Sequence, residues 1–291
     1  MGILYVIKAL SFAVPAAFSV MLLASGAHAA ACAGSGVITR IQGGTPTDVV
    51  ITRAGAQVTK PRVLEVVCAG DVVSAKGAAV VTLSIDGVGA VVVNKSKPYT
   101  VGPRRGRPGA AGNVYRAVSD QVMPDMKRLP WDVRTKALGD PLHFTVPTNA
   151  VQTITAGRSQ LTVRLVGPEG AIRVDLFDAS GVKIKSAEST TGEATFTGLN
   201  LAPGEYRVAA SNGSGETAEL KFAVADGRPA PSADIAELSD PEVQAALYAL
   251  EIAKADPNKW SFEAQQIIAS APQNGLDRER VYQLIETYGD L

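Results

Sequence analysis

Histidine and cysteine are nearly missing from this chain of 291 residues, which has two of each. The scarcity removes the commonest general base and metal ligand, and it leaves no Cys-x-x-Cys pair for redox or zinc chemistry. His28 falls in a leader-like segment and His143 stands alone at an apolar-flanked strand start, so no Ser-His-Asp set can be assembled. No Gly-x-Ser-x-Gly, His-Glu-x-x-His or P-loop motif occurs. Asp175 and Asp178 lie across a strand end, a spacing suited to a turn rather than to acid–base work. A glycosidase needs only two carboxylates placed by the fold, but the reading here is a non-enzymatic protein with no cofactor and no metal. Net charge is missing too: 28 bases balance 28 acids, so nothing draws the whole chain toward nucleic acid or an anionic surface.

What is present begins with an export segment. Lys8 is the only charge before Arg40, and Ala9 to Ala24 is almost wholly apolar. Ser25-Gly26-Ala27-His28-Ala29 follows, with small residues in the A-x-A arrangement of a cleavage site. The expectation is a signal peptide over residues 1–29, cleaved after Ala29, and a mature protein in the periplasm or cell envelope. Two alternatives would keep a membrane contact. The apolar run, left uncleaved, is about long enough to span a bilayer. Cys32, behind Ala30-Ala31, is a candidate for lipidation, although a lipobox wants Leu where Ala29 stands. In an oxidising compartment Cys32 and Cys68 most simply pair as a disulfide, worth roughly 3–4 kcal/mol in the chain-entropy model.

Charge is unevenly distributed. From Lys95 to Lys136 ten bases face three acids, and from Asp226 to Leu291 twelve acids face five bases. The plain reading is two solvated surfaces; the sharper one is docking of the acidic tail on the basic segment, within or between chains. Residues 102–140 read as a basic connector. Pro103-Arg104-Arg105-Gly106-Arg107-Pro108-Gly109 is a loop by its Pro and Gly content, and Val114 to Val122 is expected to form a short helix ended by Pro124. Arg105-Gly106-Arg107-Pro108 matches the core of an AT-hook, but in an exported chain it is read as linker, with no nucleic-acid partner. Clustered bases there suit anionic envelope polymers or headgroups.

Residues 32–101 read as an all-β domain. Val49-Val50-Ile51-Thr52, Val63 to Val67, Val80 to Ile85 and Val91-Val92-Val93 are β-branched runs, with Asp86-Gly87 as a hairpin turn. Gly36-Val37-Ile38, Val49 to Arg53, Gly70-Asp71-Val72-Val73-Ser74-Ala75, Ala79 to Leu83 and Asp86-Gly87 together resemble a FecR-type domain, over about 65 residues. The resemblance implies an all-β periplasmic module, best known in regulators that relay outer-membrane signals to sigma factors. The cytoplasmic helical segment those regulators use to hold a sigma factor has no counterpart here. Asp71 is expected to shape the Gly70-Asp71 turn.

Residues 141–226 repeat the β pattern. Leu161 to Leu165 and Arg173 to Phe177 alternate by twos, Asp178-Ala179-Ser180-Gly181 and Asn212-Gly213 are turns, and Leu220 to Val224 closes the set. Leu201-Ala202-Pro203-Gly204-Glu205-Tyr206-Arg207-Val208 resembles immunoglobulin-like and transthyretin-like accessory modules, in which a Pro-Gly turn precedes a strand with a packed Tyr. A linker (227–238) leads to a helical tail (239–291). There Ser239-Asp240-Pro241-Glu242 is expected to cap a first helix, Asp256-Pro257 to break it, Ser261 to cap a second and Asp277 a third.

The fold expected is therefore mainly β: a FecR-like all-β domain, an immunoglobulin-like β-sandwich and a small C-terminal α-helical segment. The leading functional reading is an envelope module that binds a protein partner in signalling or scaffolding. Its contact candidates are Arg104, Arg105, Arg107 and Trp131 in the connector and Leu247, Leu250, Ile268 and Leu284 on a tail too small for a secure core of its own. The alternative is a carbohydrate- or peptidoglycan-binding accessory protein that meets a cell-wall polymer through Trp131, Trp260 and the basic connector.

Overall fold

β-branched runs separated by glycine turns build the first half of the molecule. In the computed structural model, residues 34–58, 61–85, 87–103, 141–167, 170–236, 238, 240–272 and 276–289 are described. Strands β1 (Gly34–Gln42), β4 (Val66–Cys68), β6 (Val80–Ile85) and β7 (Gly89–Val93) form one sheet in the order β4-β1-β6-β7. The second sheet has the order β3-β2-β5-β8, from β2 (Val49–Arg53), β3 (Ala56–Val58), β5 (Val72–Ala75) and β8 (Tyr99–Thr100). Ile38, Val67, Leu83 and Val93 from the first sheet meet Ile51 and Val73 from the second in a core of aliphatic side chains. Gly36 is needed where β1 crosses β6, since a Cβ there would lie on the Ser84 carbonyl and the Ile85 side chain.

The expected run Val63 to Val67 is a strand only from Val66 onward. Leu64 takes a left-handed backbone, φ 64°, in the turn before it. Such a conformation is costly for a branched residue. The Leu64 side chain is fully buried in the helical core, and the Leu64 backbone N–H donates to Ile38 O at 2.6 Å, so tertiary contacts hold the turn against the local strand preference.

The second half is a β-sandwich. Its strands are β9 (His143–Phe144), β10 (Gln152–Thr155), β11 (Gln160–Val166), β12 (Ile172–Asp178), β13 (Lys183–Ser189), β14 (Glu193–Thr197), β15 (Gly204–Asn212) and β16 (Thr217–Ala225). The sheets run β10-β16-β15-β12-β13 and β14-β11-β9, with β10 parallel to β16 and the other pairs antiparallel. This order is the immunoglobulin arrangement of strands, by topology alone. A tyrosine corner accompanies it: Tyr206, near the start of β15, donates its hydroxyl to Ala202 O at 3.0 Å. Its ring stacks on Phe222, with centroids 5.6 Å apart.

Among the described residues four helices follow: α1 (Ala233–Ala236), α2 (Pro241–Ala255), α3 (Pro257–Ser270) and α4 (Arg278–Gly289). Pro241 occupies the first turn of α2, and the cap is Asp240, whose carboxylate accepts from the N–H groups of Glu242 and Val243. The expected break at Asp256-Pro257 is a single residue, because proline also starts a helix well. Consequently α3 begins at Pro257, and Ser261, expected as a cap, lies inside it with its hydroxyl buried and without a hydrogen-bond partner. Asp277 caps α4 as expected, accepting from Arg280 N–H at 3.4 Å.

Candidate functional site

The helical segment is the junction of the molecule, and it is built in two halves. Its apolar half shares one core with the first β-domain: Val243, Leu247, Leu250, Ile268 and Leu284 cluster with Val37, Val63, Leu64 and Val66. Val37 and Val66 point from the outer face of β1 and β4, because their register partners alternate with the inward-facing Ile38 and Val67. Beside them Ser84 donates its hydroxyl to Asp240 at 2.7 Å, and Asp277 N–H donates to Thr39 O at 2.9 Å.

The other half is polar yet buried, and it grips the sandwich. Glu263 on α3 has no exposed side-chain surface; it accepts from Thr155 N–H at 3.0 Å, from the Thr155 hydroxyl at 2.8 Å, from Arg158 at 2.6 Å and from Arg228 at 3.1 Å. Gln266 pairs with the backbone of β11 as a neighbouring strand would, accepting from Thr162 N–H at 2.9 Å and donating to Thr162 O at 2.6 Å. Gln265 donates to the Thr145 hydroxyl at 2.8 Å. From the sandwich side, Gln152 accepts from Phe262 N–H at 3.1 Å and donates to Asn258 O at 2.9 Å. Phe262 enters the sandwich core edge-to-face against Phe222, with centroids 5.4 Å apart. Arg164 on β11 reaches α4, 2.7 Å from Glu279 and over the Tyr282 ring, whose hydroxyl burial pushes up to about 12.

A cleft of about 410 Å³ opens where β1 meets the helices, lined by Arg40, Ile41, Gln42, Glu242, Leu276, Asp277, Arg278 and Glu279. Its charged walls are engaged in holding the chain together. Glu242 accepts from Leu276 N–H at 3.1 Å, Arg278 donates to Pro272 O at 2.9 Å and to Ala271 O, and Arg40 reaches Leu276 O at 3.5 Å. No hydroxyl, thiol, imidazole or amine is among these lining residues; the groups there with acid–base capacity are the carboxylates of Glu242, Asp277 and Glu279. Among the described residues no three His, Cys, Asp or Glu side chains converge as a metal site, and no helix is long and apolar enough to cross a membrane.

The residues singled out from sequence separate into three groups. Leu247, Leu250, Ile268 and Leu284, offered there as partner contacts, are buried inside this chain. What they cover is the outer face of β1 and β4, so they are core residues of this chain. Arg104, Arg105, Arg107, Trp131 and the helix expected over 114–122 lie outside the described residues, as does Cys32. Cys68 is buried at the end of β4, opposite Gly34 on β1. Trp260 is 9% exposed within the helical core. His143 is exposed, its Nδ1 2.8 Å from Pro141 O.

The carboxylates of Asp71, Asp175 and Asp178 are each hydrogen-bonded within the chain. Asp71 is buried, accepting from Cys68 N–H at 2.7 Å and from Arg53 at 2.8 Å, which gives the Gly70-Asp71 turn a cation that the motif alone does not name. Asp178 closes the β12–β13 turn by accepting from Ser180 and Val182, and these bonds hold its carboxyl below the usual range. At Asp175 burial works in the opposite direction, but bonds from Ser186, Arg173 and Lys183 outweigh it and the carboxyl again lies low. Sequence reasoning missed Glu263, Gln265 and Gln266, since polar residues on a helix read as its solvated face.

No protein-family model matches this chain, and no curated protein matches it. Among solved structures it is similar to CopC from Methylosinus trichosporium OB3b, at 18% identity over 28% of this chain and 89% of that one, with a TM-score of 0.22. It is also similar to the fibronectin(III)-like modules of Clostridium thermocellum CbhA, at 10% identity over 66% and 86% of the two chains, TM-score 0.20. A third likeness, to trypsin-activated alpha-2-macroglobulin from Escherichia coli, has 14% identity over 68% of this chain and 13% of that one, TM-score 0.25. Likenesses of this size carry no argument, and the fold assignment rests on the strand order itself.

Proposed function

We propose that this chain is an exported, non-enzymatic scaffolding module of the cell envelope that holds a FecR-like β-domain and an immunoglobulin-like sandwich together and presents them to a protein partner. The carrying observation is the use of the helical segment. Its apolar side is spent on the first β-domain and its buried polar side on the second, a construction suited to positioning surfaces rather than to chemistry. Export with cleavage after Ala29 and a Cys32–Cys68 disulfide belong to the same reading. Supporting the disulfide, β1–β4 pairing sets Gly34 opposite Cys68, two residues along the chain from Cys32. Trp260, one support of the carbohydrate-binding alternative, is packed in the core and offers no open ring face. The connector residues Arg104, Arg105, Arg107 and Trp131 remain the proposed partner contacts.

Crosslinking with mass spectrometry in the native envelope tests the proposal. Peptides of one protein partner linked reproducibly to this chain are expected. Retention on cell-wall sacculi with no protein crosslink would favour the polymer-binding alternative and overturn the scaffold. N-terminal sequencing of envelope material is expected to begin near Ala30, and thiol alkylation without reductant to leave Cys32 and Cys68 unlabelled.

A further inference from the structure

We propose that the open half of the first sheet's outer face, with the cleft beside it, docks an amphipathic helix of the protein partner, an aliphatic side chain of that helix lying on Val92 and a carboxylate on Arg40. The proposal rests on the scaffold reading and gives it a surface and a chemistry. Register identifies the face. Val37, in the helical core, is opposite Ser84, and Ser84 is opposite Ala90. Residues directly opposite in an antiparallel pair share a face, and so do residues two apart on one strand. Arg40, Thr82 and Val92 therefore form the next outward row, and Gln42 and Val80 belong to the row after it.

The helical segment occupies only part of this face. It covers Val37 and Val66 and reaches Ser84 through Asp240. Past Ser84 the face is neutral: Thr82 and Val80 are half-buried, Ala90 is exposed and Val92 is 49% exposed. At the β1 end the same rows begin in the cleft, since Arg40 and Gln42 line the space of about 410 Å³ together with Glu242, Asp277 and Glu279. An apolar strip and a charged hollow thus share one row across three strands, with Arg40 and Val92 about 10 Å apart at the backbone. Apolar contact beside a charged anchor is the composition of a protein-binding surface.

Charge selects the anchor. The acids of the cleft are already held: Glu242 accepts from Leu276 N–H at 3.1 Å, Asp277 from Arg280 N–H at 3.4 Å and Glu279 from Arg164 at 2.7 Å. Arg278 is engaged by the Ala271 and Pro272 carbonyls. Arg40 has a single long contact, 3.5 Å to Leu276 O, and forms no ion pair among the described residues. A guanidinium left over on a rigid strand is matched by a carboxylate, which it grips with two N–H groups. The partner segment must therefore carry an aliphatic and an acidic side chain on one face, about 10 Å apart. A helix does so, because seven residues rise about 10.5 Å and return to nearly the same face. Helices also cover sheet faces, as the helical segment does on the neighbouring half of this one, whereas an extended segment adds at a sheet edge.

Photocrosslinking of the full chain in its native envelope tests this, with benzoylphenylalanine placed at Val92, at Gln42 or at Val151, an equally exposed valine of the other domain. Positions 92 and 42 are expected to label one protein, on one face of a single helix, with an Asp or Glu among the residues nearest position 42. Position 151 is expected not to label that helix. Arg40→Glu should lower the adduct from position 92 by about tenfold or more, while Glu219→Arg, at an exposed pair of the other domain, leaves it unchanged. Val92→Asp, a change outside the core, supplies a second measurement and should lower the adduct from position 42 likewise. Labelling of two different proteins, of a second copy of this chain or of lipid alone overturns the proposal, as does a labelled segment without an acid or an adduct indifferent to Arg40→Glu and Val92→Asp. A partner crosslinked elsewhere on the chain but never from positions 92 and 42 overturns this surface and leaves the scaffold reading standing. Absence of a protein crosslink from every position overturns both.

Discussion

Glu263 shows how much a single side chain contributes to joining the two halves. It is wholly buried and meets two guanidiniums, one hydroxyl and one backbone N–H. Removing one partner of a buried pair strands the other charge, at a cost of about 3–5 kcal/mol. Glu263→Ala is expected to lower the unfolding free energy by that amount in a denaturant titration. Glu219→Ala, which removes an exposed pair with Arg207, is expected to cost about 0–1 kcal/mol in the same assay. The turn carboxylates give a pH signature. Asp48, Asp175 and Asp178 are all held below their ordinary value of 3.8 by hydrogen bonds, those of Asp48 coming from Thr45. The unfolded chain therefore binds these protons more readily than the folded one. Their stabilisation is complete above 3.8 and drains as pH falls through the depressed folded values. Thermal melts should be nearly level above about pH 5 and decline below about pH 4, with a shallower decline in Asp178→Asn.

At the scale of elements, α3 does work usually done by a strand. Gln266 supplies β11 with one donor and one acceptor on the side away from β14, where no described strand pairs with Thr162, and Thr162 is buried. The alternation of Leu161 to Leu165 predicts an open face at Thr162, and the helix closes it. Gln266→Ala would leave a buried N–H and C=O unpaired, costing about 1–3 kcal/mol. Hydrogen exchange at the Thr162 amide is expected to quicken markedly in that variant. Gln266→Glu keeps the acceptor and loses the donor, so its Thr162 amide should remain the better protected of the two.

For the whole molecule, the helical segment makes two β-domains into one cooperative body. Contacts group Cys32–Leu291 into a single unit, and the helical core is completed by Val37, Val63, Leu64 and Val66. Calorimetry of the intact chain should show one main transition. Deleting Asp240 to Leu291 uncovers those four residues and the cavity filled by Phe262, so the truncated chain is expected to bind a hydrophobic dye and to melt in two separate steps. The isolated tail, lacking the four residues and small for a domain, is expected to show little helical circular dichroism. A stable, fully helical isolated tail would contradict the clamp.

The amino-acid sequence by itself determined the β character, the hairpin turns, the Pro-Gly corner before Tyr206 and the helix starts at Pro241 and Asp277. Each of these depends on neighbours a few residues away: alternation by twos, glycine at a positive φ, a carboxylate beside a helix N-terminus. It also showed that Leu247, Leu250, Ile268 and Leu284 needed something to cover. Only the tertiary structure decided what they cover, and that Glu263, Gln265 and Gln266 are buried. Their partners are backbone and side-chain groups of strands about a hundred positions earlier in the chain, Gln266 with Thr162 at a separation of 104. A polar side chain pairs as well with water as with such a group. Nothing local distinguishes the two, and the choice is made when the sandwich edge arrives beside the helix and excludes the water.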